Sequence, residues 1–270
     1  MNPSPTDPVI DRLKAILARL RAPDGCPWDR EQTHRSIKGQ LLEECYEVLE
    51  AIDRDSPEDL REELGDLLLH VLFHSQMAGE RGAFSFDDVA EGLSEKLVRR
   101  HPHVFGEASA KSAEEVVIHW ERSKREEKPE RKSVFDGIPR ELPALLRAQK
   151  YQSKAAKLGL DWSSAEGPKE KIAEELAEVN AALAQGDPQR VEEEIGDLLF
   201  AVVNLARHLK VNAECALGGA AGRFRSRAQF IEEALRGRPP GHSPDLAELE
   251  LLWKKSKEAT GLPGNPPDRS

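Results

Sequence analysis

Closely spaced carboxylates are the residues of this chain whose spacing most directly suggests chemistry. Glu174, Glu175 and Glu178 form an EExxE pattern, and Glu194 and Asp197 form an ExxD pattern after 15 intervening residues. On a helix, residues three and four apart share a face, so each pattern places its carboxylates on one side. Like charges at this spacing destabilise a helix by about 0.2 to 0.5 kcal/mol per pair, and no lysine or arginine follows the EExxE residues four positions on. A hard divalent cation such as Mg²⁺, which prefers oxygen ligands, would compensate this repulsion.

The same acidic constellation occurs twice in the chain. Residues 43–69 and 174–200 align without a gap at a shift of 131, and 12 of the 27 aligned positions are identical. Further along, Trp120 in WERSK recurs as Trp253 in WKKSK at a shift of 133. A duplication on this scale indicates two copies of one structural unit. The acidic residues of the first copy are Glu43, Glu44, Glu47, Glu63 and Asp66.

Other interpretations of the acidic residues stay open at the level of sequence. A glutamate-rich helix face can simply be solvated, or it can dock a basic partner in a non-enzymatic helical module with a metal only as a staple. Di-iron bundles also carry glutamates on facing helices, but they require Glu-x-x-His on two of them. Here both copies have ExxD, and although His70 lies one turn beyond Asp66, its counterpart is Ala201. The duplicated ExxD pattern beside an apolar stripe therefore favours a metal site for oxygen ligands.

Helical periodicity runs through nearly the whole chain, and no alternating run of β-branched residues is long enough for a strand. The predicted fold class is therefore all-α, with tandem duplicated helical bundles. Helix starts are marked where a capping residue precedes a proline, as at Ser56-Pro57 and Asp187-Pro188. The short AQGDPQ connection predicts an antiparallel hairpin whose acidic faces converge. The predicted helices cover residues 8–21, 34–53, 57–80, 86–100, 112–127, 141–157, 168–185, 188–210, 213–236 and 245–258.

A change in composition near the middle of the chain separates the two copies. The segment REEKPERKSVFDGIPREL is charged and contains proline and glycine, as expected of a linker. The predicted organisation is an N-terminal helical domain over 1–125, a linker over 126–142 and a C-terminal helical domain over 143–260. The tail GLPGNPPDRS, residues 261–270, is predicted to be disordered.

Charge and apolar patterning exclude several classes of protein. The net charge of −10 repels polynucleotide phosphates, which argues against a nucleic-acid partner. Apolar stretches such as LLLHVLFHSQMAG fall short of the roughly 20 residues that a membrane span needs. The start of the chain lacks the basic-then-apolar order of a signal peptide, and the three cysteines form no CxxC pair. These features predict a cytoplasmic protein without a membrane partner.

The ordered motifs of the chain resemble those of the MazG family of nucleoside triphosphate pyrophosphohydrolases. Besides the two acidic sets, GCPWD (25–29), RRHPHVF (99–105), LPALLRAQK (142–150) and GDLLFAVVNLARHL (196–209) look like the signature stretches of its two-domain bacterial members. The resemblance implies tandem all-α units in a homodimer. It also implies Mg²⁺-dependent cleavage of ribo- or deoxyribonucleoside triphosphates to the monophosphate and pyrophosphate, with Mn²⁺ as the second candidate cofactor. House-cleaning of the nucleotide pool or alarmone control would be the biological role.

The resemblance also assigns roles to single residues. The metal ligands of the family correspond to Glu175, Glu178, Glu194 and Asp197 in the second copy, and Glu174 completes the motif as a candidate base that orients water. These five are the predicted catalytic residues. The matching ligands of the first copy are Glu44, Glu47, Glu63 and Asp66, and the nucleotide-contacting positions correspond to Lys171, Arg190, Arg223, Trp253 and Arg100.

The two copies differ in the cations near the acidic residues. At the shift of 131, Lys171 corresponds to Gln40 and Arg190 corresponds to Asp59. A triphosphate carries several negative charges that a site must neutralise, so the first copy lacks two groups that this substrate needs. Most turnover is therefore predicted in the C-terminal domain. The N-terminal domain is predicted to be regulatory, structural or adapted to another nucleotide.

Overall fold

Helices make up the regular secondary structure of the chain wherever it is described. The structure is a computed structural model that describes residues 8–106, 132–236 and 244–259, together with residues 108–110, 112, 115, 116, 119, 120, 123, 124 and 127. Within those residues no strand forms, which confirms the predicted all-α class. The chain divides into two compact units, Met1–Pro129 and Glu130–Ser270, and this division falls inside the predicted linker.

Six helices of the first unit are described: α1 (Val9–Leu20), α2 (Pro27–Glu31), α3 (Lys38–Asp53), α4 (Pro57–Gly79), α5 (Phe86–Arg100) and α6 (Pro102–Phe105). Helices α3 and α4 are joined by residues 54–56, and so short a connection makes them an antiparallel hairpin. Helices α1 and α5 pack against α4. The buried core of this unit consists of Leu17, Ile37, Leu72, Phe73 and Met77.

Five helices of the second unit are described: α7 (Ala144–Ala156), α8 (Glu166–Gln185), α9 (Pro188–His208), α10 (Ala213–Leu235) and α11 (Leu246–Ala259). Helices α8 and α9 form the hairpin that corresponds to α3 and α4. Helix α7 packs against α9 and α10, and α11 packs against α10. Val179, Ala182, Ala201 and Val203 are buried within the hairpin. Their small side chains let the two helices lie close together, which brings polar residues at adjoining positions within reach of one another.

A matching turn closes both hairpins. In the second unit Gly186 ends α8 in the left-handed conformation with a φ of 69°, and Asp187 caps α9. The Asp187 Oδ1 atom accepts hydrogen bonds from the backbone N–H groups two and three residues further on, at 3.1 and 3.3 Å. In the first unit Asp55 takes the left-handed φ of 52°, and the Ser56 side chain caps α4. The turns and caps occupy equivalent positions, so the two hairpins share one register.

The predicted helices agree closely with those of the structure, with instructive differences. The helix predicted over 34–53 begins at Lys38, because the side chains of Thr33 and Ser36 each accept a hydrogen bond from the other residue's backbone and form a turn. The short helices α2 and α6, which both begin at a proline, are not anticipated by the sequence patterns. Half of the residues of the helix predicted over 112–127 are described, and residues 115, 116, 119, 120, 123 and 124 among them are helical. The predicted tail 261–270 lies wholly outside the described residues. No described helix combines the length and the apolar composition that crossing a bilayer requires.

Replacing the cap of α9 is expected to destabilise the second unit. Asp187→Ala removes the acceptor for two backbone N–H groups and should lower the free energy of unfolding by about 1 kcal/mol. Asp187→Asn keeps a side-chain acceptor and should retain most of this stability. Urea denaturation followed by circular dichroism measures both changes. An equal loss in the two variants would show that the cap does not provide this stability.

Candidate metal and nucleotide site

The hairpin of α8 and α9 brings together three of the predicted metal ligands. Oxygen atoms of Glu175, Glu194 and Asp197 all lie within 4.8 Å of one another. Glu175 comes from the middle of α8, whereas Glu194 and Asp197 lie about one turn apart on α9. The cluster therefore depends on the closed hairpin. It extends from the buried Glu175 to the exposed Asp197, which gives an entering ion a route from solvent.

Glu175 is the most unusual of these carboxylates because it is nearly buried and only half paired. The residue is 4% exposed, and its Oε1 atom lies 2.6 Å from the Nζ of Lys171. Its Oε2 atom is buried and has no hydrogen-bond partner among the described residues. A buried acceptor without a partner costs about 1 to 3 kcal/mol, and more when it is charged. A cation bound at Oε2 would remove this cost, so the residue fits a metal site.

Two further acidic residues of α8 lie beside the three-residue cluster. Partial burial raises the pKa of Glu178 above its ordinary value of 4.5, and the charges of Glu194 and Glu175 raise this pKa further. Glu178 therefore experiences the negative potential of the cluster. Glu174 is exposed, and its carboxylate accepts a hydrogen bond from Lys171 at 2.9 Å. The structure thus places both residues next to the three clustered carboxylates.

Two cations that are predicted to contact the nucleotide lie against these acidic residues. Hydrogen bonds to Glu175 and then to Glu174 raise the pKa of Lys171. On the other helix, the Nε of Arg190 lies 3.4 Å from the Oε1 of Glu194. The acidic run has no basic residue four positions after it, but Lys171 lies four positions before Glu175. The sequence therefore contained a signal for this ion pair.

Trp253 and Arg223, also predicted to contact the nucleotide, lie on α11 and α10. The ring centroid of Trp253 is 5.6 Å from that of Phe224, and the two planes are tilted by 52°. The guanidinium carbon of Arg227 lies 5.7 Å from the centroid of the tryptophan ring. Arg223 is exposed, and its side chain extends back along α10 so that its Nη1 lies beside Gly219, one turn earlier on the helix. Trp253 therefore packs on α10, and the stacking of a base on it stays a prediction.

Arg100 has partners inside the first unit. The residue is buried, and its guanidinium donates to both carboxylate oxygens of Glu127, with its Nε 3.0 Å from Oε1. Hydrogen bonds from Arg100 and then from Arg99 lower the pKa of Glu127 to about 2. The Arg100 guanidinium also lies 5.0 Å from the centroid of the Trp120 ring. These contacts give Arg100 a role in holding Glu127 and Trp120, and its contact with a nucleotide stays a prediction.

The first unit contains an equivalent acidic cluster. Oxygen atoms of Glu44, Glu63 and Asp66 all lie within 4.8 Å of one another. Burial raises the pKa of Glu44, and the charges of Asp66 and Glu47 raise it further. Burial also raises the pKa of Glu63, with the charge of Glu47 as the next cause. A glutamine and an aspartate replace the two cations of the second unit, so the negative charge of this cluster is less compensated.

A group of histidines in the first unit is a feature that the sequence patterns did not indicate. The Nδ1 atoms of His34 and His74 lie 2.8 Å apart, and their rings stack with centroids 5.1 Å apart. His70 is buried, and its ring centroid lies 6.3 Å from that of His74. Burial, followed by the charges of His34 and His70, lowers the pKa of His74. The contact between His34 and His74 spans 40 residues, so no local pattern reveals it.

The fold and the site together define an all-α protein with two carboxylate centres, and its similarity to known proteins gives the family. A sequence model of the MazG nucleotide pyrophosphohydrolase domain matches residues 32–105 and 164–228, and each matched segment contains one acidic cluster. The chain belongs to the MazG family.

Several bacterial relatives match nearly the whole chain. The chain is 48% identical over 254 residues to a nucleoside triphosphate pyrophosphohydrolase of Escherichia coli K12, and the match covers 92% of this chain and 97% of that protein. It is 46% identical over 252 residues to the nucleoside triphosphate pyrophosphohydrolase/pyrophosphatase MazG of Thermotoga maritima, with 92% and 96% covered. A Mycobacterium tuberculosis nucleoside triphosphate pyrophosphohydrolase is 46% identical over 148 residues, which is 54% of this chain and 44% of that protein.

Mg²⁺ is expected to stabilise the protein more at about pH 7 than at about pH 5. The raised pKa values of Glu44, Glu63 and Glu178 mean that folding favours their protonated forms. Without metal, these groups therefore lower the free energy of unfolding as the pH rises above the ordinary glutamate pKa of 4.5. A bound cation favours the deprotonated carboxylates and restores this stability. Thermal unfolding with saturating Mg²⁺ measures the rise in Tm, and NaCl at equal ionic strength is the control. A rise that is equal at both pH values, or greater at the lower one, would contradict this expectation.

Proposed function

We propose that the chain hydrolyses ribo- and deoxyribonucleoside triphosphates to the nucleoside monophosphate and pyrophosphate, with Mg²⁺ as the cofactor and Mn²⁺ as the alternative. Two relatives that match nearly the whole chain are named for this class of activity. The observation that carries the proposal concerns the nearly buried Glu175. Its Oε2 atom has no hydrogen-bond partner among the described residues, and the residue clusters with Glu194 and Asp197. A set of oxygen ligands alone suits a hard divalent ion.

Four carboxylates of the second unit would hold the ion, namely Glu175, Glu178, Glu194 and Asp197. A bound Mg²⁺ supplies Lewis-acid polarisation of the phosphate oxygens and neutralises part of their charge. Glu175 is the fixed ligand of this set because it is nearly buried. Asp197 lies at the exposed side of the cluster, which is the side from which a large substrate would approach.

The proposed reaction is a displacement at the α-phosphorus. A water oxygen bonds to this phosphorus while the bond to the oxygen bridging the α- and β-phosphates breaks, and pyrophosphate leaves with that bridging oxygen. Glu174, which is exposed and pairs with Lys171, would orient the water and accept its proton. Lys171 and Arg190 would neutralise the negative charge of the leaving pyrophosphate. Arg223 and Trp253 would contact the rest of the nucleotide, the tryptophan by stacking on the base.

The second unit would carry most of the turnover. Its cluster has Lys171 and Arg190 beside it, whereas the first unit has Gln40 and Asp59 at the corresponding positions. The first unit would then hold an ion without the cations that a triphosphate needs, which suits a regulatory or structural role. A homodimer and a cytoplasmic location complete the proposal, with unwanted triphosphates or an alarmone as the biological target.

A pair of matched substitutions tests both the site and the difference between the units. Glu175→Gln should reduce Mg²⁺-dependent release of pyrophosphate by about 100-fold or more, because it removes a charge that positions the ion. Glu44→Gln makes the same change in the first unit and should leave most of the turnover. Both variants are assayed as intact chains with a panel of ribo- and deoxyribonucleoside triphosphates, by detection of pyrophosphate and monophosphate.

The outcomes separate the parts of this proposal. Equal losses in the two variants would contradict the assignment of turnover to the second unit. Diphosphate and inorganic phosphate as the products would contradict the displacement at the α-phosphorus. No product from any nucleotide would favour a non-enzymatic helical module whose acidic face docks a basic partner.

A further inference from the structure

In the second unit, carboxylates of the acidic cluster form ion pairs with nearby lysine and arginine side chains. The Nζ of Lys171 lies 2.6 Å from the Oε1 of Glu175 and 2.9 Å from the Oε1 of Glu174. The Nε of Arg190 lies 3.4 Å from the Oε1 of Glu194. Glu175 and Glu194 are also two of the three residues whose oxygens lie within 4.8 Å of one another. Two of the three clustered carboxylates therefore each pair with a cation.

In these ion pairs the carboxylates hold the cations that a triphosphate needs, and the cations occupy the carboxylates that a metal ion needs. A divalent ion at the cluster would lie within a few ångströms of the Lys171 ammonium group, and like charges repel strongly at that distance. A triphosphate, in turn, needs cations that can reach its oxygens. One ammonium group cannot neutralise Glu175 and a phosphate with the same strength at the same time. The metal therefore competes with Lys171 and Arg190 for the carboxylates, and the carboxylates compete with the triphosphate for these two cations.

We propose that Lys171 and Arg190 are exchangeable counter-ions, which neutralise Glu175 and Glu194 in the metal-free protein and transfer to the triphosphate when a divalent ion takes their place. This inference rests on the proposed function, which supplies the metal and the nucleotide. Before the ion binds, the two pairs limit the repulsion among carboxylates in the hairpin. Once the ion binds, it neutralises the carboxylates, and the released cations meet the phosphates. Metal binding and nucleotide binding are coupled through these two side chains.

Both side chains can make this exchange without movement of the backbone. Lys171 lies about one turn before Glu175 on α8, and 35% of its side chain is exposed. Arg190 lies in the first turn of α9, and 50% of its side chain is exposed. Long, flexible side chains of this kind reach different partners by rotation about their own bonds. The exchange therefore requires new rotamers at two partly exposed positions.

The first unit provides a comparison within the same chain. Its cluster of Glu44, Glu63 and Asp66 has the same carboxylate spacing, but Gln40 stands where the second unit has Lys171. An ion that binds there displaces no lysine from this position. The two clusters thus have the same arrangement of carboxylates, but only in the second unit must a metal ion displace a lysine at this position.

The test measures the binding of Mn²⁺ and of a nucleotide analogue to the intact chain. Glu44→Gln and Glu63→Gln are introduced first, so that the second cluster dominates Mn²⁺ binding. In this background Lys171→Gln is compared with Lys169→Gln. Lys169 lies two residues earlier on the same helix and pairs with Glu166 at 2.8 Å, outside the cluster. Electron paramagnetic resonance detects free Mn²⁺ and gives its dissociation constant without turnover.

The exchange predicts shifts of opposite sign for the two ligands. Without nucleotide, Lys171→Gln should bind Mn²⁺ about fivefold tighter or more, because one competing unit charge is removed. With saturating Mn²⁺, the same variant should bind an α,β-methylene triphosphate analogue about fivefold more weakly or worse. Lys169→Gln should change neither affinity, and Lys171→Arg, which keeps the charge, should bind Mn²⁺ like the background protein. If Lys171 had a purely structural role, replacing it would weaken the binding of both Mn²⁺ and the nucleotide analogue.

Two results would overturn the inference, and they are distinguishable from each other. An unchanged or weaker affinity of Lys171→Gln for Mn²⁺, in a protein with an unaltered circular dichroism spectrum, would refute the exchange and leave the metal site standing. Failure of the background protein itself to bind Mn²⁺, while Lys171 is still present, would refute the proposed metal site and the exchange with it.

Discussion

A carboxylate that is almost buried and has a partner for only one of its oxygens is the constraint on which the second unit depends. Glu175 is nearly buried in a helical hairpin, where a charge needs a neighbouring partner because little solvent contacts it. Small buried residues such as Ala182 and Ala201 bring α8 and α9 close together, which positions Glu175 at the cluster. Lys171 forms an ion pair with the Oε1 of Glu175 and so neutralises part of the charge. Part of the packing energy of the hairpin therefore offsets the cost of assembling like charges, as expected where a binding site borders a core.

The two units use one backbone design with two different charge patterns. Both hairpins turn through a left-handed residue followed by a side-chain cap, and both present three clustered carboxylates. In both units the tryptophan of a WxxSK motif lies beside an arginine, which is Arg100 at Trp120 and Arg227 at Trp253. The cations at the carboxylates distinguish the units. A duplicated scaffold thus presents one acidic cluster paired with cations and one that is less compensated, and this difference is the physical basis for proposing that the two units differ in role.

Local patterns were sufficient to predict the hairpins and the carboxylates that meet in them. The proline-marked helix starts fixed the turns, and spacing on a helix fixed which acidic side chains share a face. Contacts between residues far apart in sequence were not predictable in this way, since His34 and His74 are 40 residues apart and Arg100 and Glu127 are 27 residues apart. The pairing of Lys171 with Glu175 is local, but it becomes visible only when basic residues are sought before the acidic run as well as after it.

Anomalous diffraction from crystals grown with Mn²⁺ tests the central claim most directly, because it locates the ion itself. The account predicts a peak bounded by Glu175, Glu194 and Asp197, about 2.1 Å from the Oε2 of Glu175. The Nζ of Lys171 should then have moved away from the Oε1 of Glu175. A crystal in which Mn²⁺ binds elsewhere, while Oε2 still has no ligand and Lys171 keeps its contact with Oε1, would contradict the account.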